Sequence, residues 1–157
     1  MKNIAIFVDV QNIYYTTRDT YQRTFNYRKF WQRISAQGTI THAFAYAIQS
    51  HNDGQIKFQD ALKHIGFNVK LKPFIQRSDG SAKGDWDVGI TIDVLEFAKQ
   101  VDTVILLSGD GDFDLLLKKI REDDNTSAEV YGVAALTAQS LIHAATVFHP
   151  IEDDLLL

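Results

Sequence analysis

Short apolar runs alternate with segments of helical periodicity along this chain of 157 residues. A short apolar run bounded by polar residues indicates a buried strand, whereas apolar residues at i, i+3, i+4 and i+7 indicate one face of a helix. Strands are predicted on this basis at 4–8, 41–48, 69–73, 103–107, 129–134 and 147–148. Helices are predicted at 27–34, 58–65, 86–99, 113–120 and 137–145.

The alternation of strands and helices predicts an α/β fold with a parallel sheet that helices cover on both faces. Ligands of such folds bind at the carboxyl ends of the strands, where the strand order reverses. If the first and fourth strands are neighbours at that point, Asp9 and Asp110 converge in one crevice. Because the chain has no internal repeat and no linker, we expect a single domain over residues 1–157.

Acidic residues concentrate at strand ends and at one helix start. Asp9 ends the first strand, and the turn 108–114, with the sequence SGDGDFD, follows the fourth. Asp85 and Asp87 lie at the start of the helix at 86–99. Residues that are two positions apart on a helix point about 200° away from each other, so only one of these two side chains faces the crevice easily. We favour Asp87 because it shares a helix side with apolar residues, whereas Asp93 is a weaker candidate.

Carboxylates that share a crevice repel one another, and a divalent cation removes that repulsion. Mg²⁺ and Mn²⁺ prefer oxygen ligands, polarise a phosphodiester and lower the pKa of a bound water. The pattern therefore predicts a divalent-metal site suited to chemistry on phosphate.

Simpler explanations stay open for single residues, since Asp9, Asp112 and Asp114 could each cap a helix. A calcium-binding EF-hand is excluded, because Leu115 and Arg121 occupy the positions that require glycine and an acid. A P-loop and a complete dinucleotide fingerprint are absent from the sequence, and the five histidines lack the spacing of zinc ligands.

The net charge of −4 conceals a division along the chain. Residues 1–84 carry 12 Lys and Arg against 5 Asp and Glu, and residues 85–157 carry 4 against 15. The basic part could face a polyanion while the acidic part holds cations, although chance segregation of surface charge is the alternative. The absence of cysteine excludes disulfides, thiolate metal sites and a cysteine nucleophile.

Three motifs together resemble the NYN domain family, in particular the LabA-like (DUF88) branch of the PIN-like nuclease superfamily. They are Phe7–Asn12, Lys83–Val88 with Asp93, and Ser108–Phe113. The resemblance implies a three-layer PIN-like (Rossmann-like) fold whose mainly parallel sheet has the order 3-2-1-4-5. It also implies a Mg²⁺ or Mn²⁺ site and hydrolysis of RNA phosphodiesters by a metal-activated water.

The resemblance also assigns roles to individual positions. The family's acidic positions, which bind metal and act in catalysis, correspond in this sequence to Asp9, Asp87, Asp110 and Asp112. The residues expected to support them are Asn12, Ser108 and Asp93. Asp114 stands where many relatives carry an unrelated residue. Two other functions stay open: a non-catalytic RNA-binding or regulatory protein that retains the site, and a phosphohydrolase. Asp9-Val10-Gln11 disfavours the latter, because it lacks the second aspartate of an Asp-x-Asp pair.

An RNA substrate needs cations and exposed aromatic rings near the acidic site. Basic and aromatic residues interleave over 18–33, where the spacing of Tyr27, Phe30 and Trp31 indicates core packing and leaves Tyr21 and Phe25 for base stacking. The basic residues expected to contact RNA are Lys83, Arg77, Arg18 and Arg23.

The sequence contains no apolar run near the roughly 18 residues that a membrane-spanning helix needs. Its N-terminus lacks the shape of a secretory signal, so we expect a cytoplasmic protein that binds RNA and no membrane. The pattern does not determine an oligomeric state.

Overall fold

A computed structural model describes residues 1–73 and 85–157, together with the backbone of 75–76 and 82–83. The strands are β1 (Asn3–Asp9), β2 (Thr39–Ile48), β3 (Asn68–Lys72), β4 (Ile75–Gln76), β5 (Ala82–Lys83), β6 (Thr103–Leu107), β7 (Ser127–Gly132) and β8 (Val147–Pro150). The helices are α1 (Val10–Tyr21), α2 (Tyr27–Ser35), α3 (Asp53–Ile65), α4 (Asp87–Phe97), α5 (Asp114–Asp123) and α6 (Gln139–Ala144). In the described part of the chain, no helix combines the length and the apolar character needed to cross a membrane.

Six strands form one parallel sheet in the order β3-β2-β1-β6-β7-β8, and β4 pairs with β5 as a separate antiparallel ribbon. Counting only the strands of the large sheet, the order is 3-2-1-4-5-6. The predicted three-layer α/β fold with the strand order 3-2-1-4-5 is thus confirmed, and β8 extends the predicted order by one strand beyond β7.

The central strand β1 contributes to two separate cores. Ile4, Ile6 and Val8 pack with α1, α2 and α3 on one face of the sheet. Ala5 and Phe7 pack with α4, α5 and α6 on the other face. All five side chains are fully buried, because successive residues of a strand point to opposite faces and both faces are covered.

The helix α1 lies where the hydrophobic pattern predicts none. Its buried positions are Val10, Ile13, Thr16 and Thr17, so threonine occupies sites where a periodicity search expects apolar residues. The hydroxyls of Thr16 and Thr17 donate to carbonyls one turn back, at 2.7 Å in each case. Threonine has a low helix propensity and makes such bonds inside helices, so tertiary packing stabilises this helix.

The predicted helix at 137–145 is also shorter than expected. Helix α6 begins at Gln139, with Ala138 at the cap position. The Thr137 hydroxyl donates to the Val133 carbonyl at 2.7 Å, within the turn that precedes the helix.

The turn after β6 packs tightly against the segment that leads into α6. The Ala138 amide donates to the Gly109 carbonyl at 3.1 Å. A Cβ atom added at Gly109 would lie 2.8 Å from the Leu136 carbonyl oxygen, which is backbone and moves only with its segment. Glycine therefore allows the acidic turn to sit against this segment.

We expect Gly109→Ala to destabilise the protein by about 1–3 kcal/mol, because the added methyl group overpacks a backbone contact. Thermal unfolding measures this, at roughly 2–4 °C per kcal/mol for a chain of this size. Gly54→Ala on α3 is the matched control, since its Cβ would meet a side-chain oxygen, that of Asn52 at 3.1 Å, and no backbone atom. Equal melting temperatures for the two variants would contradict the packing argument.

Candidate metal centre

The acidic residues meet because β1 and β6 are neighbours at the middle of the sheet. Val8 of β1 lies opposite Leu107 of β6, so Asp9 and Ser108 follow at the same edge. Adjacent strands are about 4.8 Å apart. The predicted adjacency of the first and fourth strands is therefore confirmed, and the turn 108–114 begins beside Asp9.

Ser108 and Asn12 connect the two strand ends. The fully buried Ser108 hydroxyl donates to the Asp9 carboxylate at 3.1 Å and accepts the Asp110 amide at 3.2 Å. The side-chain oxygen of Asn12 accepts the Gly109 amide at 2.8 Å. These bonds hold the acidic turn against the first turn of α1.

Three carboxylates come together above this framework. Asp87, Asp110 and Asp112 each offer an oxygen, and these three atoms lie within 4.8 Å of one another. Asp110 also accepts the Asp112 amide at 2.9 Å, which orients the turn. Three carboxylate oxygens at such short range suit Mg²⁺ or Mn²⁺, which take oxygen ligands and retain several waters.

Asp9 lies near enough to this group for its charge to act on Asp87, and it accepts the Ser108 hydroxyl. Asp87 joins the group, whereas Asp85 is exposed and accepts the Asp87 amide at 3.2 Å. The preference for Asp87 over Asp85, which followed from helix geometry, thus agrees with their placement.

Two residues that the sequence patterns did not single out hold the start of α4. The Trp86 indole N–H donates to the Ala47 carbonyl of β2 at 2.9 Å. The Lys72 ammonium of β3 donates to the Asp85 carbonyl at 3.0 Å and lies 4.8 Å from the centre of the Trp86 ring. Lysines alternating along an edge strand were a weak signal for this contact.

The ionised forms of Asp9 and Asp87 are unfavourable in the folded protein. Burial raises the pKa of Asp9 to about 6, and the negative charges of Asp110 and Asp85 add to this effect against the hydrogen bond from Ser108. Burial also raises the pKa of Asp87 to about 7, together with a hydrogen bond to Asp110 and the charges of its acidic neighbours. A bound divalent cation would offset both effects.

Asp93 and Asp114 lie in other surroundings. The Asp93 carboxylate pairs with the Lys70 ammonium at 2.6 Å and accepts the Tyr46 hydroxyl at 2.7 Å. Asp114 is the first residue of α5, where its carboxylate accepts the Leu115 amide at 2.6 Å. Neither belongs to the group of three carboxylates.

The basic residues predicted to contact RNA do not share one surrounding in the structure. Arg18 is half exposed on α1. The Arg23 guanidinium pairs with Asp153 and donates to the carbonyls of the last two residues, so it holds the C-terminal segment. Arg77 lies outside the described residues, as does the side chain of Lys83.

The expectation that Phe25 is available for base stacking is wrong. Phe25 is 4% exposed because it forms a β-bridge with Leu156 and packs in the core. Tyr21 packs against the same core and donates its hydroxyl to the Ile151 carbonyl at 2.8 Å. The predicted core position of Phe30 is confirmed.

The fold and the acidic carboxyl edge of its sheet define an α/β protein with a candidate site for a divalent metal. The sequence model of the NYN domain matches residues 3–152, and the chain belongs to the NYN domain family. It is 28% identical to the low amplitude and bright protein LabA of Synechococcus elongatus, over 96% of this chain and 84% of that protein.

Two solved structures are similar to this chain. A protein of unknown function from Vibrio parahaemolyticus is 52% identical, with a TM-score of 0.95 over 99% of this chain and 96% of that one. The T5 D15 protein, co-crystallised with metal ions, is 13% identical, with a TM-score of 0.50 over 90% of this chain and 59% of that one. The second likeness shows the fold alone.

We expect Asp9→Asn to stabilise the metal-free protein at pH 8 by about 1–3 kcal/mol, since two pKa units correspond to about 2.7 kcal/mol. The folded pKa of Asp9, about 6, exceeds its ordinary value of 3.8. The folded protein therefore binds this proton more tightly, and stability is lost as the pH rises from about 4 to 6. Chemical denaturation in EDTA between pH 4 and 8 measures the difference.

Asp60→Asn, which removes an exposed carboxylate from α3, is the control and should follow the wild-type pH profile. A loss of stability at pH 8 on replacing Asp9 would show that its charge is compensated in the metal-free protein.

Proposed function

We propose that this protein is a metal-dependent ribonuclease that hydrolyses RNA phosphodiesters, with Mg²⁺ or Mn²⁺ as its cofactor. The observation that carries the proposal is the convergence of Asp87, Asp110 and Asp112 beside the buried Asp9. Two of these four carboxyls have raised pKa values, which supports a site that requires a cation. A divalent ion bound there would polarise the phosphodiester of the substrate and would activate a water molecule.

The residues around the ion have separate roles in this proposal. Asp87, Asp110 and Asp112 would hold the ion, and the neighbouring Asp9 would add a further negative charge. Ser108 and Asn12, which take part in the bonds between the strand ends, keep these carboxylates in position. Without the ion, the carboxylates would repel an RNA phosphate, so substrate binding at this edge depends on metal.

Membership of the NYN domain family supports an RNA-related function of the nuclease type. The division of charge is consistent with it, because the basic first half of the chain supplies cations that can face a polyanion. RNA is accordingly the proposed partner, and the cytoplasm is the proposed compartment.

We expect the purified protein to cleave single-stranded RNA with Mn²⁺ or Mg²⁺ and to lose this activity in EDTA. Asp87→Asn and Asp110→Asn should each reduce the rate at least about 100-fold, because each removes a metal ligand, and Asp9→Asn should do the same. Gel analysis of an end-labelled RNA measures the rate.

Asp114→Asn is the matched control, since it removes a carboxylate from the same turn but outside the group of three. It should retain activity within a few fold of the wild type. Cleavage that survives Asp87→Asn and Asp110→Asn would identify a contaminating nuclease. RNA binding without cleavage under any metal would instead identify a non-catalytic RNA-binding protein.

A further inference from the structure

A groove of about 960 Å³ opens on the sheet face that α1, α2 and α3 cover. Residues of α1 and α3 form its sides, and the carboxyl end of β2 contributes Ala47 and Ile48. Its volume is at the upper end of the range for small-molecule sites, and its lining is mostly apolar with a few polar groups.

The groove is continuous with the acidic edge along the backbone. Val10 and Gln11, which directly follow Asp9, line it. Ala47 also lines it, and the preceding residue Tyr46 pairs with Asp9 across β1 and β2. The groove therefore begins at residues that directly follow Asp9 on β1 and its paired residue Tyr46 on β2.

Aromatic rings stand at the side of the groove that α1 forms. Tyr14 and Tyr15 line it and are 45% and 47% exposed, which is high for residues with large apolar rings. Their ring centres are 5.4 Å apart, and the Arg18 guanidinium carbon lies 5.4 and 5.0 Å from them. Exposed rings with a neighbouring guanidinium are the surface on which bases of single strands stack.

The remaining polar groups fit an uncharged heterocycle attached to an anionic backbone. Among the described residues that line the groove, the charged side chain is Arg28, and none is acidic. Gln11, Gln49 and Gln55 also line it, and carboxamides offer the paired donor and acceptor that the edges of bases use. The positive charge of Arg28 favours a ligand that carries phosphate groups, whereas the carboxylates of the acidic edge would repel such a ligand.

We propose that this groove binds unpaired bases of a single-stranded RNA whose neighbouring phosphodiester lies at Asp87, Asp110 and Asp112. The inference rests on the proposed ribonuclease function and restricts its substrate to single strands. Duplex RNA is excluded because its bases are stacked and paired, so that they cannot enter an apolar groove between helices.

Fluorescence anisotropy in Mg²⁺ with a labelled eight-nucleotide RNA, whose phosphorothioate linkages resist cleavage, tests binding separately from cleavage. Ala61→Trp fills the groove with an indole, and Tyr15→Ala removes a stacking surface. Each should raise the Kd about 5- to 100-fold, which is the effect expected for one lost base–aromatic contact. Ala36→Trp, at the exposed C-cap of α2 and outside the groove lining, should leave the Kd unchanged.

A Kd that rises in both groove variants but not in the control, with weaker binding of the matching duplex, supports the proposal. Since Tyr15 is half exposed, its truncation keeps the test valid even where thermal unfolding shows that Ala61→Trp does not fold. Unchanged RNA binding in both groove variants, equal binding of duplex, or no binding of single strands overturns it. So does a concentration-dependent dimer that Ala61→Trp disrupts, because the groove is then an interface between copies.

Failure of the groove and failure of the nuclease give different results. If the wild type cleaves RNA with Mn²⁺ but the groove variants bind and cleave normally, the ribonuclease stands and the base site is wrong. If the groove variants lose RNA binding but the wild type cleaves nothing, the base site stands and the ribonuclease is wrong.

Discussion

Val8 and Leu107 lie opposite each other at the carboxyl ends of β1 and β6, and this pairing determines where the acidic residues meet. The next residue on each strand, Asp9 or Ser108, leaves the sheet at the same edge, and a hydrogen bond joins the two side chains. Sequence separation between them is 99 residues, yet the parallel sheet brings them within 3.1 Å. The start of α4 then adds Asp87 from above, held there by Trp86 and Lys72.

The same pairing creates a conflict between stability and function. Buried hydrogen bonds and the core hold Asp9 where its charge is unfavourable, and the pKa values of Asp9 and Asp87 rise accordingly. Folding of the rest of the domain must offset this cost, as it does at many functional sites with perturbed pKa values. The bonds made by Ser108 and Asn12 show how the framework resists the repulsion, since they connect strand ends through neutral groups.

The helix α1 links the two sites that the proposals describe. Its first residues follow Asp9 directly, its buried residues pack on the sheet, and Tyr14 and Tyr15 face the groove. A helix rich in threonine and tyrosine has little intrinsic stability, so it depends on the sheet beneath it. The acidic edge and the groove therefore share one structural support while carrying opposite electrostatic character.

The sequence by itself determined the elements whose signal is local. Apolar runs predicted the six strands of the large sheet, and helical spacing predicted five helices. The angle of about 200° between residues two apart on a helix favoured Asp87 over Asp85 as the residue that faces the crevice. It did not reveal α1, because Thr16 and Thr17 occupy buried positions where the pattern expects apolar residues. Only the tertiary structure decided the long-range partners: Phe25 is buried by Leu156, Arg23 pairs with Asp153, and Asp93 pairs with Lys70. Periodicity records which face of an element is apolar, but a side chain's partner depends on how distant segments pack, and that information is absent from any local window.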